Sequence, residues 1–233
     1  MGEVVGILLA AGAARRFGGP KLLVPLAGRP LIAWSLAALA PCDRVLAVVR
    51  PQDRKMQALL ERLGAEPVPN PRARDGMGSS IAAGVRAAPQ AAGWCILPAD
   101  MPWVPVQATA AVVQALRAGA AIVAPSLDGR RGHPVGFARR FGPQLRALQG
   151  EQGGRRLLAE HDQSLILLPL ADPGVVRDVD RRHDLVPRLR HRFSRGSGAG
   201  SRESHSRLHG GTTPAKACGN LIRAHRPGRC VVG

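Results

Sequence analysis

The chain has 233 residues, and 45% of them are hydrophobic, which is enough to form a core and excludes a wholly disordered protein. Its formal net charge of +17 directs attention to anionic partners, yet aromatic residues make up only 3% of the chain. The charge is unevenly placed: residues 1–187 carry +8 and residues 188–233 carry +9.

The last 46 residues are rich in Gly, Ser, Arg and His and have no apolar period. Such a segment cannot bury enough surface to offset its ordering entropy, so a basic disordered tail is expected over 188–233. Without interleaved aromatics for base stacking, the tail predicts only salt-sensitive, non-specific contact with nucleic acid. The expected folded unit is 1–187.

Within that unit, strand-length apolar runs alternate with helix-like segments. In chain order the expectation is a strand over 4–10, a helix over 30–40, a strand over 44–49 and a helix over 53–64. Asp53 is placed to cap that helix and Gly64 to end it. A short strand over 65–69 precedes a helix over 79–88, a strand over 93–100, a helix over 106–119 and strands over 120–126 and 133–137. Short helices over 139–150 and 153–161 follow, then apolar runs at 165–170 and 175–180. This alternation predicts an α/β domain with a mostly parallel sheet. Ligands then bind beyond the carboxyl ends of the strands. The turn after 4–10, the loop 70–78 and Asp100 all fall there.

No CxxC pair is present, and Cys42 and Cys95 sit in apolar runs, which predicts buried reduced thiols. The run VVGILLAAGAA is too short to span a membrane and lacks a basic start. These features predict a cytoplasmic protein with no membrane contact.

The segment LLAAGAARRFGGPKLLVPLAGRPLI, residues 8–32, places a Gly-rich turn after an apolar strand, with Arg15, Arg16 and Lys21 beside it. Backbone N–H groups of such a turn can face phosphates. The spacing matches neither a P-loop nor GxGxxG. By composition alone a solvated basic turn would serve, but Pro20 fixes the backbone ahead of Lys21, which implies a rigid basic loop.

This segment resembles the N-terminal signature of nucleotidyltransferases. It is most similar to the branch acting on molybdenum cofactor, the cytidylyltransferases and their MobA-like relatives. Three further motifs follow in order: NPRARDGMGSSIAAGV (70–85), LPADMPWV (97–104) and GRRGHPVGF (129–137). The resemblance covers about residues 4–186 and implies a three-layer α/β/α Rossmann-like nucleotidyltransferase fold.

It also implies roles. Ala10, Ala11 and Gly12 would lie under the nucleotide, and Arg16 and Lys21 would neutralise its triphosphate. Asp100 would bind Mg²⁺. Asp180, in DVDRRHDL (178–185), aligns with a second metal ligand, although Arg181, Arg182 and His183 replace the family's Thr-Pro-Glu. A helix N-cap is the alternative for Asp180. Gly76, Ser79, Ser80, Gly132 and His133 would meet the acceptor; capping is the alternative for the two serines. The implied reaction transfers CMP from CTP to molybdenum cofactor, because LAAG resembles the cytidine-using branch and LAGG the guanine-using one. A molybdoenzyme apoprotein or its chaperone is a possible partner. A sugar- or alcohol-phosphate nucleotidyltransferase, or a non-catalytic cofactor-presenting or nucleic-acid-binding protein, is the alternative.

Overall fold

A computed structural model describes residues 2–12, 16–151 and 153–185. The expected tail and the boundary after Pro187 lie outside them, as does Arg15.

The strands are β1 (Val4–Leu9), β2 (Pro25–Leu26), β3 (Arg29–Pro30), β4 (Arg44–Val49), β5 (Glu66–Pro69), β6 (Gly93–Pro98), β7 (Ile122–Leu127), β8 (Arg130–Arg131), β9 (Val135–Ala138) and β10 (Leu165–Pro169). The helices are α1 (Leu31–Ala38), α2 (Arg54–Arg62), α3 (Met77–Ala87), α4 (Val106–Arg117), α5 (Gly142–Arg146) and α6 (Arg155–Glu160). The main sheet runs β10-β7-β9-β6-β1-β4-β5, with β8 on β7, and β2 and β3 form a separate hairpin. β1 pairs in parallel with β4 and β6, β4 with β5, and β7 with β10. In the main sheet, among the described residues, only β9 and the short β8 run against their neighbours.

The three layers follow from side-chain alternation along buried strands. Val4 and Leu8 of β1, Ala47 and Val49 of β4, and Cys95 and Leu97 of β6 join one core, with α1, α2 and α4. Val5 and Ile7, Leu46 and Val48, and Trp94 and Ile96 join the other, with α3, α5 and α6. A sheet covered on both faces needs continuous apolar strands, and these segments supply them. β5 lies at the edge, where Pro67 and Pro69 leave no central ladder unmade.

Local signals held where they were strong. Asp53 accepts from the Met56 N–H at 3.1 Å, and Gly64 takes a φ of +84° past α2. Cys42 and Cys95 are free and buried, and burial, then the neighbouring Cys42, pushes the Cys95 thiol well up. The structure shortens the region 139–161: a 3-10 turn leads into α5, and α6 begins only at Arg155. It also replaces the run at 175–180 by a 3-10 turn over Pro173–Val176 followed by irregular backbone. That segment crosses the carboxyl edge of the sheet rather than joining it: the Val179 N–H donates to the Asp100 carbonyl.

Candidate active site

The carboxyl ends of β1, β4, β5 and β6 release, in turn, the Gly-rich turn, Arg50, Asn70 and Asp100 at one edge. β9 is antiparallel, so its beginning meets the end of β6, with Val135 opposite Ile96. His133 therefore reaches the same edge from the other direction.

Asp100 follows β6 and is half-buried. Its Oδ2 accepts from Lys21 Nζ at 2.8 Å, and the same ammonium donates to the Val179 carbonyl at 2.7 Å. The Lys21 side chain is only 9% exposed, so its charge acts with little screening by water. Arg16, by contrast, is exposed and pairs with Asp180 at 3.0 Å. Asp180 does not cap the turn that follows. The Asp184 carboxylate does that, accepting from the N–H groups of Asp180 and Arg181 at 3.0 and 2.7 Å.

Asp100, Asp178 and Asp180 place carboxylate oxygens within 4.8 Å of one another. Partial burial, then the charge of Asp100, raises the Asp178 carboxyl above the usual range, with Asp180 adding to the rise and Lys21 opposing it. Three converging carboxylates suit a hard divalent cation that keeps open positions for phosphate oxygens. Sequence reasoning named Asp100 and Asp180 but missed Asp178. Its signal was available as the first acid of DVD, which puts both acids on one short segment.

The segment 178–185 also straps the Gly-rich loop. Phe17, Leu31 and Val179 form a small buried cluster, with Leu185 packed against it. Arg182 lies over the Phe17 ring at 5.3 Å. The arginine that departs from the family pattern thus contacts the loop that carries Arg16 and Lys21.

Two cavities open at this edge. The first, of about 720 Å³, is lined by Ala11, Gly12, Arg50, Gly76, Ser80 and Asp100 among others. The second, of about 420 Å³, is lined by His133, Arg131, Arg155 and an apolar wall, and it shares Asp100 with the first. The residues expected at the acceptor are therefore divided. Gly76 and Ser80 line the cavity of the Gly-rich turn, and His133 lines the other. Gly132 lines neither. A Cβ there would come within 2.5 Å of the Val175 carbonyl oxygen, so this glycine permits close backbone packing.

The serines do not cap α3. The Ser79 hydroxyl lies 2.7 and 2.9 Å from the Arg72 and Gly76 carbonyls, and the Asn70 amide donates to both serine hydroxyls, at 3.0 and 3.2 Å. Ser80 keeps its own proton to donate. Arg50 Nε donates to the Ala11 carbonyl at 2.9 Å and so fixes the turn. Asn70 and Arg50 were missed as site residues, because each acts through a partner distant in sequence.

His133 is half-buried, and its Nδ1, enclosed by protein, has no hydrogen-bond partner among the described residues. Burial first, then the charge of Arg131, pushes its pKa down to about 4, against a hydrogen bond with the Ile96 backbone that raises it. The ring is neutral at pH 7.

A buried lysine, an exposed arginine and three convergent carboxylates gather at the carboxyl edge of a mostly parallel sheet, a combination suited to binding phosphate groups with a divalent cation. The chain matches the MobA-like NTP transferase domain over residues 6–165 and belongs to that family of nucleotidyltransferases. It is 32% identical over 203 residues to the purine catabolism protein PucB of Bacillus subtilis, spanning 79% of this chain and 96% of that one. It is also 32% identical over 190 residues to a nicotine blue oxidoreductase of Paenarthrobacter nicotinovorans, spanning 76% and 92%. Among solved structures, the molybdopterin-guanine dinucleotide biosynthesis protein A of Archaeoglobus fulgidus superposes with a TM-score of 0.58 at 20% identity, over 78% of this chain and 94% of that one. Among the described residues, no helix is long and apolar enough to cross a membrane.

Proposed function

We propose that the protein transfers CMP from CTP to molybdenum cofactor in a Mg²⁺-dependent reaction. The observation that supports this most is the meeting of two cavities at Asp100, one beside the Gly-rich turn and one beside the Gly-His-Pro segment. Two substrates can then reach a shared centre from adjoining cavities.

The terminal phosphate oxygen of the acceptor attacks the α-phosphorus of the nucleotide. The bond from that phosphorus to the bridging oxygen breaks, and pyrophosphate leaves with the electron pair. A phosphate monoester has a second pKa of about 6 and is largely dianionic at neutral pH, so no strong base is required. The task is to align two anions and offset their repulsion. Lys21, held by Asp100 and the Val179 carbonyl, would stabilise charge on the transferring group, and Arg16 would neutralise the outer phosphates. Asp100, Asp178 and Asp180 would hold Mg²⁺, which supplies further neutralisation of phosphate charge. Ala11, Gly12 and Ser80 hold the nucleoside side, and the Ala11 methyl narrows the base site in favour of a pyrimidine.

Pyrophosphate release is the direct test, with protein, Mg²⁺ and molybdenum cofactor given CTP or GTP separately. CTP should turn over faster. Faster turnover with GTP rejects the base assignment, and release that does not depend on molybdenum cofactor rejects the acceptor.

A further inference from the structure

The second cavity holds an arrangement that nucleotide transfer alone does not use. Arg130 and Arg131 form the short strand β8, which pairs with the end of β7. Arg155 opens α6. All three line the cavity, although they come from two separate parts of the chain. Arg131 and Arg155 are close enough to repel, since the Arg155 charge, after burial, lowers the Arg131 pKa. All three are exposed, and among the described residues no ion pair joins any of them to an acid. Glu151 lines both cavities but bonds to none of these arginines. The remaining acids of the second cavity, Asp100 and Asp178, belong to the carboxylate cluster with Asp180.

Like charges brought together without a counterion cost free energy that an anion recovers, and guanidinium groups match carboxylate or phosphate oxygens in pairs. The same cavity is lined by the apolar Ile81, Ile96, Val135, Phe137 and Leu158. His133 lines the same cavity, and its neutral ring carries an unpartnered Nδ1. A flat apolar body would lie against this wall.

We infer that the second cavity recognises an acceptor with two anionic ends: the phosphate that reacts at Asp100, and a second anion held by Arg131 and Arg155, with Arg130 adding charge. The body between them presents an apolar face to Ile81, Ile96, Val135, Phe137 and Leu158. This inference rests on the transferase reading for which end reacts, but the second-anion site can be tested without it.

The test uses the full chain with Mg²⁺ and α,β-methylene CTP, which cannot release pyrophosphate. Two probe pairs are titrated by calorimetry: phenyl phosphate with 4-carboxyphenyl phosphate, and biphenyl phosphate with its para-carboxylate. The carboxylate is the only difference within a pair, and the two lengths cover the reach of the cavity. In at least one pair the carboxylate should tighten binding about tenfold. Arg131→Gln and Arg155→Gln should each erase that preference while nucleotide affinity stays within about twofold. Equal binding within both pairs, or a preference that survives both substitutions, overturns the inference. A preference that Arg131 and Arg155 create, in a protein that does not transfer CMP to molybdenum cofactor, upholds the second-anion site and overturns the proposed function instead.

Discussion

At position 12 an added Cβ would meet no protein atom within 4 Å. The residue is exposed and lines the first cavity, so the space beside it is open rather than filled by packing. Gly12→Ala should leave the melting temperature unchanged and weaken nucleotide binding by about tenfold, read by calorimetry. Asp100→Asn should lower kcat by about a hundredfold or more, since it removes an acid from the reacting centre and a partner from Lys21. His133 gives a pH signature. Its pKa is about 4 in the folded chain against the ordinary value of 6.5, so between these limits the unfolded chain binds the proton and the folded one does not. Stability is therefore lost as pH falls from 6.5 toward 4. His133→Gln should remove up to about 3 kcal/mol of that loss, measured by urea unfolding across the range. Asp100 and Lys21 were legible in the sequence because motifs of four to six residues carried them. Asp178, Arg50 and Asn70 were not, because their significance lies in partners that the chain brings close only on folding.

Helix α3 shows how an element's end becomes part of a site. Gly76 takes a φ of +96°, and the Gly78 N–H donates to the Gly150 carbonyl at 2.9 Å. A Cβ on Gly78 would lie 2.7 Å from the Gln149 carbonyl group. Gly78→Ala should thus cost about 1–3 kcal/mol of stability by denaturant unfolding, through overpacking against backbone that cannot yield. This contrasts with Gly12→Ala, and the pair separates glycines kept for packing from those kept for a ligand. The spacing of serines and glycines in GMGSS pointed to a helix start, and it held. The sequence could not show that 149–151 packs across that start, since this contact spans some seventy residues and carries no local pattern. The same limit applied to β9: its apolar run was evident, but its antiparallel course between β6 and β7 places His133 at the carboxyl edge only in three dimensions.

For the molecule as a whole, alternation of apolar runs sufficed to predict the layered α/β architecture, because a sheet buried on both faces has a distinctive pattern. Charge was the less direct guide. Arg16, Lys21 and Arg50 lie at the carboxyl edge of the sheet, Arg44 and Arg117 lie elsewhere, and most of the positive excess falls in 188–233. A chain ending at Pro187 should retain transferase kinetics within about twofold and lose salt-sensitive retention on heparin. Loss of turnover on truncation would make the basic segment part of the catalytic machinery.

Lys21 and Arg16 are each bonded to an acid, Asp100 and Asp180. A metal–triphosphate that engages all four groups exchanges internal ion pairs for new ones. Few bulk ions need to be released in that exchange. A plot of log affinity against log salt should consequently be shallow for the metal-bound nucleotide, well below the slope of about −0.9 per neutralised phosphate known for proteins on duplex DNA. Two cations with no internal partners would instead give a steep one. The arrangement amounts to a built-in counterion exchanger, whose affinity for nucleotide resists changes in ionic strength while remaining sensitive to the divalent cation.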